Sequence, residues 1–179
     1  MPNKFDDLLR GTAMSIASKA VQADDWFQDT SKAMGRKDPN KIFKSFSSPK
    51  VGNMYLFVYD PKYKDKLPVY DRYPLVFPIE YYHDGFLGIN LHYLPPLARV
   101  AIMRNLDDLK NNNKYNETTK INISYRLLKT YASRFTSIEN CIKRYLYAHV
   151  RSSFNYVQPT DWEKVVLLPL QRWVGRPPY

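Results

Sequence analysis

The sequence predicts an α+β fold: a small, bent β-sheet or partial barrel over about residues 52–94, packed by C-terminal helices, with an N-terminal helical arm. Three observations carry this. Apolar residues in the first 35 positions recur at helical spacing, the hydrophobic period changes to two from Asn53, and a helical period returns after Pro95-Pro96. At 179 residues the chain is long enough to bury a core as one domain. The division read from composition is a helical segment 1–35, a basic linker or arm 36–51, an α+β core 52–175 and a tail 176–179.

Phe5, Leu8, Leu9, Ile16, Ala17, Ala20 and Val21 define a first helix, which Gly11 weakens by roughly 1 kcal/mol relative to Ala. Asp24 or Asp25 is placed to cap a second helix through Trp26, Phe27, Thr30, Ala33 and Met34, with Gly35 as its stop. The segment "RKDPNKIFKSFSSPK" is basic and Ser/Pro-containing. Its isolated Ile42, Phe43 and Phe46 suit an arm that orders by lying on a partner.

From Asn53, "NMYLFVYD" places Tyr55, Phe57 and Tyr59 on one face and Met54, Leu56 and Val58 on the other. Neither face is polar, so this strand is predicted to be buried on both sides. "YDPKYKDK" is a turn, "HDG" at 83–85 is a tight turn, and "FLGINLHYL" is a further strand. Pro68, Pro74 and Pro78 lack a ladder donor and suit edges, bulges and corners.

Pro95-Pro96 opens a helix over 96–112, because proline is tolerated in a first helical turn. Residues 121–125 alternate like a strand, yet "SYRLLKTYASRF" reads better as a helix. The clearest helix is predicted over 137–153, with Cys141, Tyr145, His149 and Phe154 on an apolar side and Lys143, Arg144, Tyr147 and Arg151 away from it. Thr160 and Glu163 have the spacing of a capping box.

Composition narrows function. One cysteine, Cys141, excludes an internal disulfide and a cysteine-rich zinc site. There is no long apolar run for a membrane span and no secretory leader, which predicts a protein that works inside a cell or leaves it by lysis. The net charge of +10 is local: residues 36–50 hold five basic side chains against one acidic, and residues 114–179 eleven against four. Residues 51–113 balance at seven each. Such charge attracts nucleic acid, an acidic partner or anionic lipid, although a solvated basic surface has the same composition.

No phosphate loop, dinucleotide-binding turn or nucleophile elbow is present, and six glycines leave little for one. Asp71, Glu80 and His83 lie close enough in sequence for a bent sheet to gather, which keeps a metal-dependent nuclease as a remote alternative. The reading is otherwise a non-enzymatic protein with no cofactor, no metal site and no small-molecule substrate. Fifteen Tyr, nine Phe and three Trp either fill a β-rich core or face partners. The stretch "YDPKYKDKLPVYDRYP" mixes offsetting charges with fixed prolines, so Tyr59, Tyr63, Tyr70 and Tyr73, with Phe43 and Phe46, are the candidate protein interface. Lys143, Arg144, Tyr147 and Arg151, on the polar side of the predicted helix, are the candidates for nucleic acid or an acidic partner.

Two blocks carry a resemblance. "GNMYLFVYDPKYKDKLPVYDRYPLVFPIEYYHDGFLGINLHYLPPLAR" and "CIKRYLYAHVRSSFNYVQPTDWEKVVLLPLQRWVG" resemble a small protein family of T-even-like contractile-tailed bacteriophages, over about 51–104 and 138–175. The Tyr-Asp-Pro-Lys turn, the Gly-Phe-Leu-Gly-x-Asn-x-His-Tyr-Leu run and the Trp162-to-Leu170 segment are distinctive together and weak apart. The resemblance implies a virion or DNA-packaging role, in a particle assembled in the host cytoplasm, and brings no catalytic residues. Two functions are expected from it. The first is a structural component of tail, baseplate or neck that binds other virion subunits. The alternative is a protein that binds double-stranded DNA and protects its ends during head filling.

Overall fold

The computed structural model describes residues 4–36, 45–134, 141–168 and 174–175. The helices are α1 (Lys4–Leu8), α2 (Ala13–Arg36), α3 (Pro96–Lys110), α4 (Glu117–Arg134) and α5 (Trp162–Val166). The strands are β1 (Ser45–Phe46), β2 (Met54–Leu56), β3 (Val69–Tyr70), β4 (Leu75–Tyr82), β5 (Gly85–Asn90), β6 (Ile142–Leu146), β7 (Phe154–Val157) and β8 (Val174–Gly175). Six of these form an antiparallel sheet in the order β1-β7-β2-β4-β5-β6, and β3 pairs with β8 in a separate ribbon. The fold is thus α+β with a bent, open sheet.

The bend has a local cause. Register slips between Pro78 and Glu80 where β4 pairs with β5, and proline, with no N–H to give, sits at that bulge. On the far side of β5, a Cβ at Gly85 would stand 2.0 Å from the Tyr145 carbonyl oxygen. Only glycine lets β5 and β6 approach there.

Both faces of the sheet are buried, as the aliphatic and aromatic alternation of β2 predicts. Met54, Leu56, Leu75, Phe77, Ile79 and Ile89 face the helices and join Phe5, Phe27, Met103, Leu128 and Trp162 in one core. Tyr55, Phe57, Tyr59, Val76, Phe86, Tyr145 and Phe154 form a second, aromatic core on the opposite face. Phe57 meets Phe154 at 5.0 Å and Tyr145 at 5.3 Å between ring centroids, both edge-to-face. Such pairs add about 0.5–1.5 kcal/mol each beyond their area. Tyr55, Tyr59 and Tyr145 are therefore core material.

The helices differ from expectation in four places. Gly11 does fall in the break after α1, but α2 is a single helix of 24 residues that passes through Asp24-Asp25 and continues to Arg36. Asp24 accepts from Gln28 Nε2 one turn on, and buried Ala23 and Phe27 on either side outweigh its capping tendency. Phe5, Leu8, Phe27 and Met34 are buried in the main core, so α1 and the described part of α2 pack inward instead of reaching away. As the helical reading of this stretch has it, residues 121–125 belong to α4, whose start is held by Asn116 Oδ1 accepting from the Thr119 N–H. At α5 the predicted capping box is not formed: the helix begins at Trp162 after a 3-10 turn, and no side chain caps it.

The fourth difference is the largest. The helix predicted over 137–153 is, within the described residues, strand β6, a 3-10 turn (Tyr147–His149) and the segment that leads into β7. β6 supplies the partner that β5 needs, pairing Gly85 with Leu146 through to Ile89 with Ile142. α3, by contrast, begins at Pro96 with Pro95 as its N-cap, as the sequence predicts. No helix among the described residues is long and apolar enough to cross a membrane.

Candidate functional site

The tyrosine-rich stretch is one wall of a pocket of about 350 Å³. After β2 the chain leaves the sheet at Tyr59, bridged to Val150, and folds over the end of the aromatic face. Lys66 and Leu67 donate backbone bonds to the Tyr63 carbonyl, which holds Tyr63 at the mouth. The chain returns through Tyr70 and Asp71. The opposite wall is β6, with Lys143, Arg144 and Leu146, and Tyr93 closes the side.

The floor is a buried polar network. Asp71 Oδ1 accepts from the Tyr73 N–H at 3.0 Å, and its Oδ2 accepts from Asn90 Nδ2 at 2.9 Å and His92 Nδ1 at 2.6 Å. A carboxylate only accepts, so the His92 proton lies on Nδ1. Asn90 Nδ2 also donates to the Tyr145 hydroxyl at 3.1 Å, and Asn90 Oδ1 receives the His92 N–H at 3.0 Å. The bottom of the pocket is thus closed and its floor groups are held by one another. Burial pushes the Tyr145 hydroxyl well above its ordinary pKa, and burial with the nearby Asp71 does the same to Tyr93. Both rings stay neutral.

The rim is cationic. Lys143 Nζ lies 5.0 Å from the centre of the Tyr93 ring and Lys62 Nζ 5.4 Å from that of Tyr63. Burial lowers the pKa of Lys143, and among the described residues no carboxylate stands within ion-pair distance of it. Arg144 donates to Asp84 Oδ1 at 2.6 Å and stacks over Tyr82 at 4.5 Å; this pairing holds the Asp84 carboxyl below the usual range.

The predicted site residues divide accordingly. Tyr59, Tyr63 and Tyr70 line the pocket, but Tyr59 is only 8% exposed, and its hydroxyl accepts from the Leu146 N–H. Its ring is core and not a partner surface. Tyr63, 57% exposed, is the outward one. Tyr73 packs against the main core under Arg72, away from the pocket lining. Phe46, half-buried, packs edge-on to Tyr55 and Tyr156 of its own sheet. Phe43 lies outside the described residues.

Lys143, Arg144, Tyr147 and Arg151 do not share a helix face. Lys143 and Arg144 are neighbours on β6, and both line the pocket. Tyr147 packs on Phe86 at 6.0 Å, and Arg151 stands 3.7 Å from Asp60. The metal grouping also comes apart: Asp71 is held by His92, Glu80 pairs with Lys129 of α4 at 2.7 Å, and His83 is exposed. Among the described residues no three His, Cys, Asp or Glu side chains stand together as metal ligands. Asn90, Tyr93, Lys62 and Tyr145 were missed. Each sits in an ordinary strand or turn pattern, and only long-range pairing brings them to one place.

A second hollow, of about 240 Å³, lies between α4 and the Val51-Gly52-Asn53 turn. Its Lys110 donates to Asn53 Oδ1 at 2.6 Å and lies 5.5 Å from the Trp162 ring. Burial, opposed by Glu117 and Asp107, lowers its pKa from 10.5 to about 8. Between these values the unfolded chain binds more protons than the folded one, so this group makes stability rise with pH and withdraws that gain as pH falls through about 8. Urea midpoints at pH of about 7.5 and about 10 are expected to separate wild type from Lys110→Met, with the rise smaller in the variant. Parallel profiles would refute the assignment.

Searches of the curated proteins and of the solved structures each returned no match. The family model described as phage T4 terminal DNA protecting protein matches residues 1–177, almost the whole chain. That coverage takes in the N-terminal helices, the tyrosine loop and both walls of the pocket. The chain belongs to the phage T4 terminal DNA protecting protein family.

Proposed function

We propose that this protein binds the ends of double-stranded DNA and protects them by occupancy, without catalysis, as a component of phage particles assembled in the host cytoplasm. The observation that carries the reading is the family match over residues 1–177. It favours end protection over the tail, baseplate or neck role. The charge distribution agrees: the excess of basic groups sits in 36–50 and 114–179, where phosphates would be met. The pocket agrees too, since it joins exposed Tyr63 to cationic Lys62, Lys143 and Arg144 at one opening.

The test is competition. A fluorescent linear duplex is bound by the protein, then challenged with the same DNA as linear fragments or as a closed circle, from about 50 to about 300 mM salt. Linear DNA is expected to compete far better than the circle, with a steep salt dependence of about 0.9 per phosphate contact. Equal competition by circle and fragment would mean that ends are not recognised.

A further inference from the structure

We propose that the pocket between the tyrosine loop and β6 takes the terminal nucleotide of one DNA strand, drawn out of the duplex stack. This rests on the end-binding reading above and adds to it the part of the DNA that is gripped. The base would lie against Tyr63 and Tyr93, with its phosphate on Lys143 and Lys62.

Shape is the first argument. The pocket, about 350 Å³, lies at the small end of ligand-pocket sizes and suits one nucleotide, not a duplex terminus. Its floor is closed, because Asp71, Asn90 and Tyr145 are buried and bonded to one another. A nucleotide that enters from the mouth meets that floor and goes no deeper.

Chemistry is the second. Aromatic rings with a polar floor receive a base, whose faces stack and whose edge hydrogen-bonds. The Tyr145 hydroxyl accepts from Asn90, and no acceptor for its own proton stands within reach among the described residues. Tyr145 lines the pocket, so that proton is left for a base edge. Lys143 is a half-buried ammonium over the Tyr93 ring with no carboxylate partner among the described residues, and burial lowers its pKa. A phosphate at the mouth is the missing counter-charge. Arg144, already paired with Asp84, contributes less.

Energetics is the third. A base leaving the middle of a duplex loses stacking on both sides, whereas a terminal base loses it on one. The same pocket therefore favours ends over internal positions with no separate device for recognising an end.

The experiment compares three DNAs on the wild-type protein: a linear duplex with 5′-phosphorylated ends, the same duplex with abasic terminal residues, and the closed circle. Intact ends are expected to bind about tenfold or more tightly than abasic ends. In Tyr63→Ala that difference is expected to shrink, while melting stays as in wild type because the ring is 57% exposed. Lys143→Met is expected to weaken intact ends and reduce the salt slope by about 1. Suppose wild type prefers ends to the circle but binds abasic and intact ends alike. The pocket inference then fails and end protection stands. If wild type does not distinguish linear from circular DNA, the functional reading fails and takes this inference with it.

Discussion

Arg99→Leu is expected to be the most destabilising substitution of a single charged residue in this protein. Arg99 lies in the first turns of α3 and is fully buried. Its Nε donates to the Leu91 carbonyl at 2.7 Å, and Nη1 donates to those of Val165, Val166 and Leu168 at 3.0, 3.2 and 2.6 Å. The last three are carbonyls at the C-terminal end of α5, where a helix leaves its acceptors unpaired and a cation is favourable. α5 has five residues and could not persist alone. One guanidinium therefore ties that helix to α3 and to the turn after β5.

Burial lowers its pKa from 12.5 to about 10, so the charge persists at neutral pH and is balanced by carbonyl dipoles. Leucine fills part of the volume but takes the side-chain donor from the Val166 and Leu168 carbonyls in dry surroundings, each at about 1–3 kcal/mol, while the Leu91 and Val165 carbonyls keep the backbone N–H groups of Leu94 and Leu168. A loss of roughly 3–5 kcal/mol is expected by urea unfolding. For a chain of this size that lowers Tm by roughly 10 °C. Arg99→Lys keeps a charge with fewer, less well-spread donors and is expected to fall between. A loss below about 1 kcal/mol for Arg99→Leu would show that water reaches these carbonyls.

No feature of the local sequence marks Arg99 as different from Arg104, one and a half turns on. What was legible was what local pattern determines. β2 announced its two-sided burial because aromatic Tyr55 and Phe57 alternate with aliphatic Met54 and Leu56. α3 was legible because proline at its start leaves no donor unpaired. β6 was hidden by Lys143, which occupies the same strand side as Cys141 and Tyr145 and hides the alternation. Its ammonium lies over the Tyr93 ring at the pocket wall, so a charged letter fills a half-buried place. The remaining apolar residues of 138–154 then fit a helix, and only the unpaired side of β5, far away in sequence, favours a strand.

The same limit applied to the site. The stretch from Tyr59 to Tyr73 stood out, but an exposed interface and a pocket wall have the same composition. Tyr59 and Tyr63 differ in burial because of Val150 and Leu146, some ninety residues on. The sequence offers Asp71 as a possible metal ligand. That it is bound to His92 instead follows from the turn after β5, not from their spacing.

Asp71 is where fold and proposed function meet, and Asp71→Ala tests both. The carboxylate takes three donors: the Tyr73 N–H, Asn90 Nδ2 and His92 Nδ1. Alanine leaves these donors unpaired in a buried place and frees the returning strand of the tyrosine loop from the end of β5. A loss of roughly 2–4 kcal/mol is expected, together with a wider pocket mouth. On the end-binding reading, Asp71→Ala should also lose preference for linear over circular DNA at temperatures where it remains folded. Asp71→Asn separates the two effects, because it keeps the shape and one acceptor oxygen while turning an amide toward one of the three donors. It is expected to cost less stability than alanine and to keep part of the end preference. If both variants lose stability while binding ends as wild type does, the network holds the fold alone and the DNA contact lies elsewhere on the basic surface. If end preference falls in step with the damage to the network, the floor beneath the tyrosine loop is part of what holds the DNA.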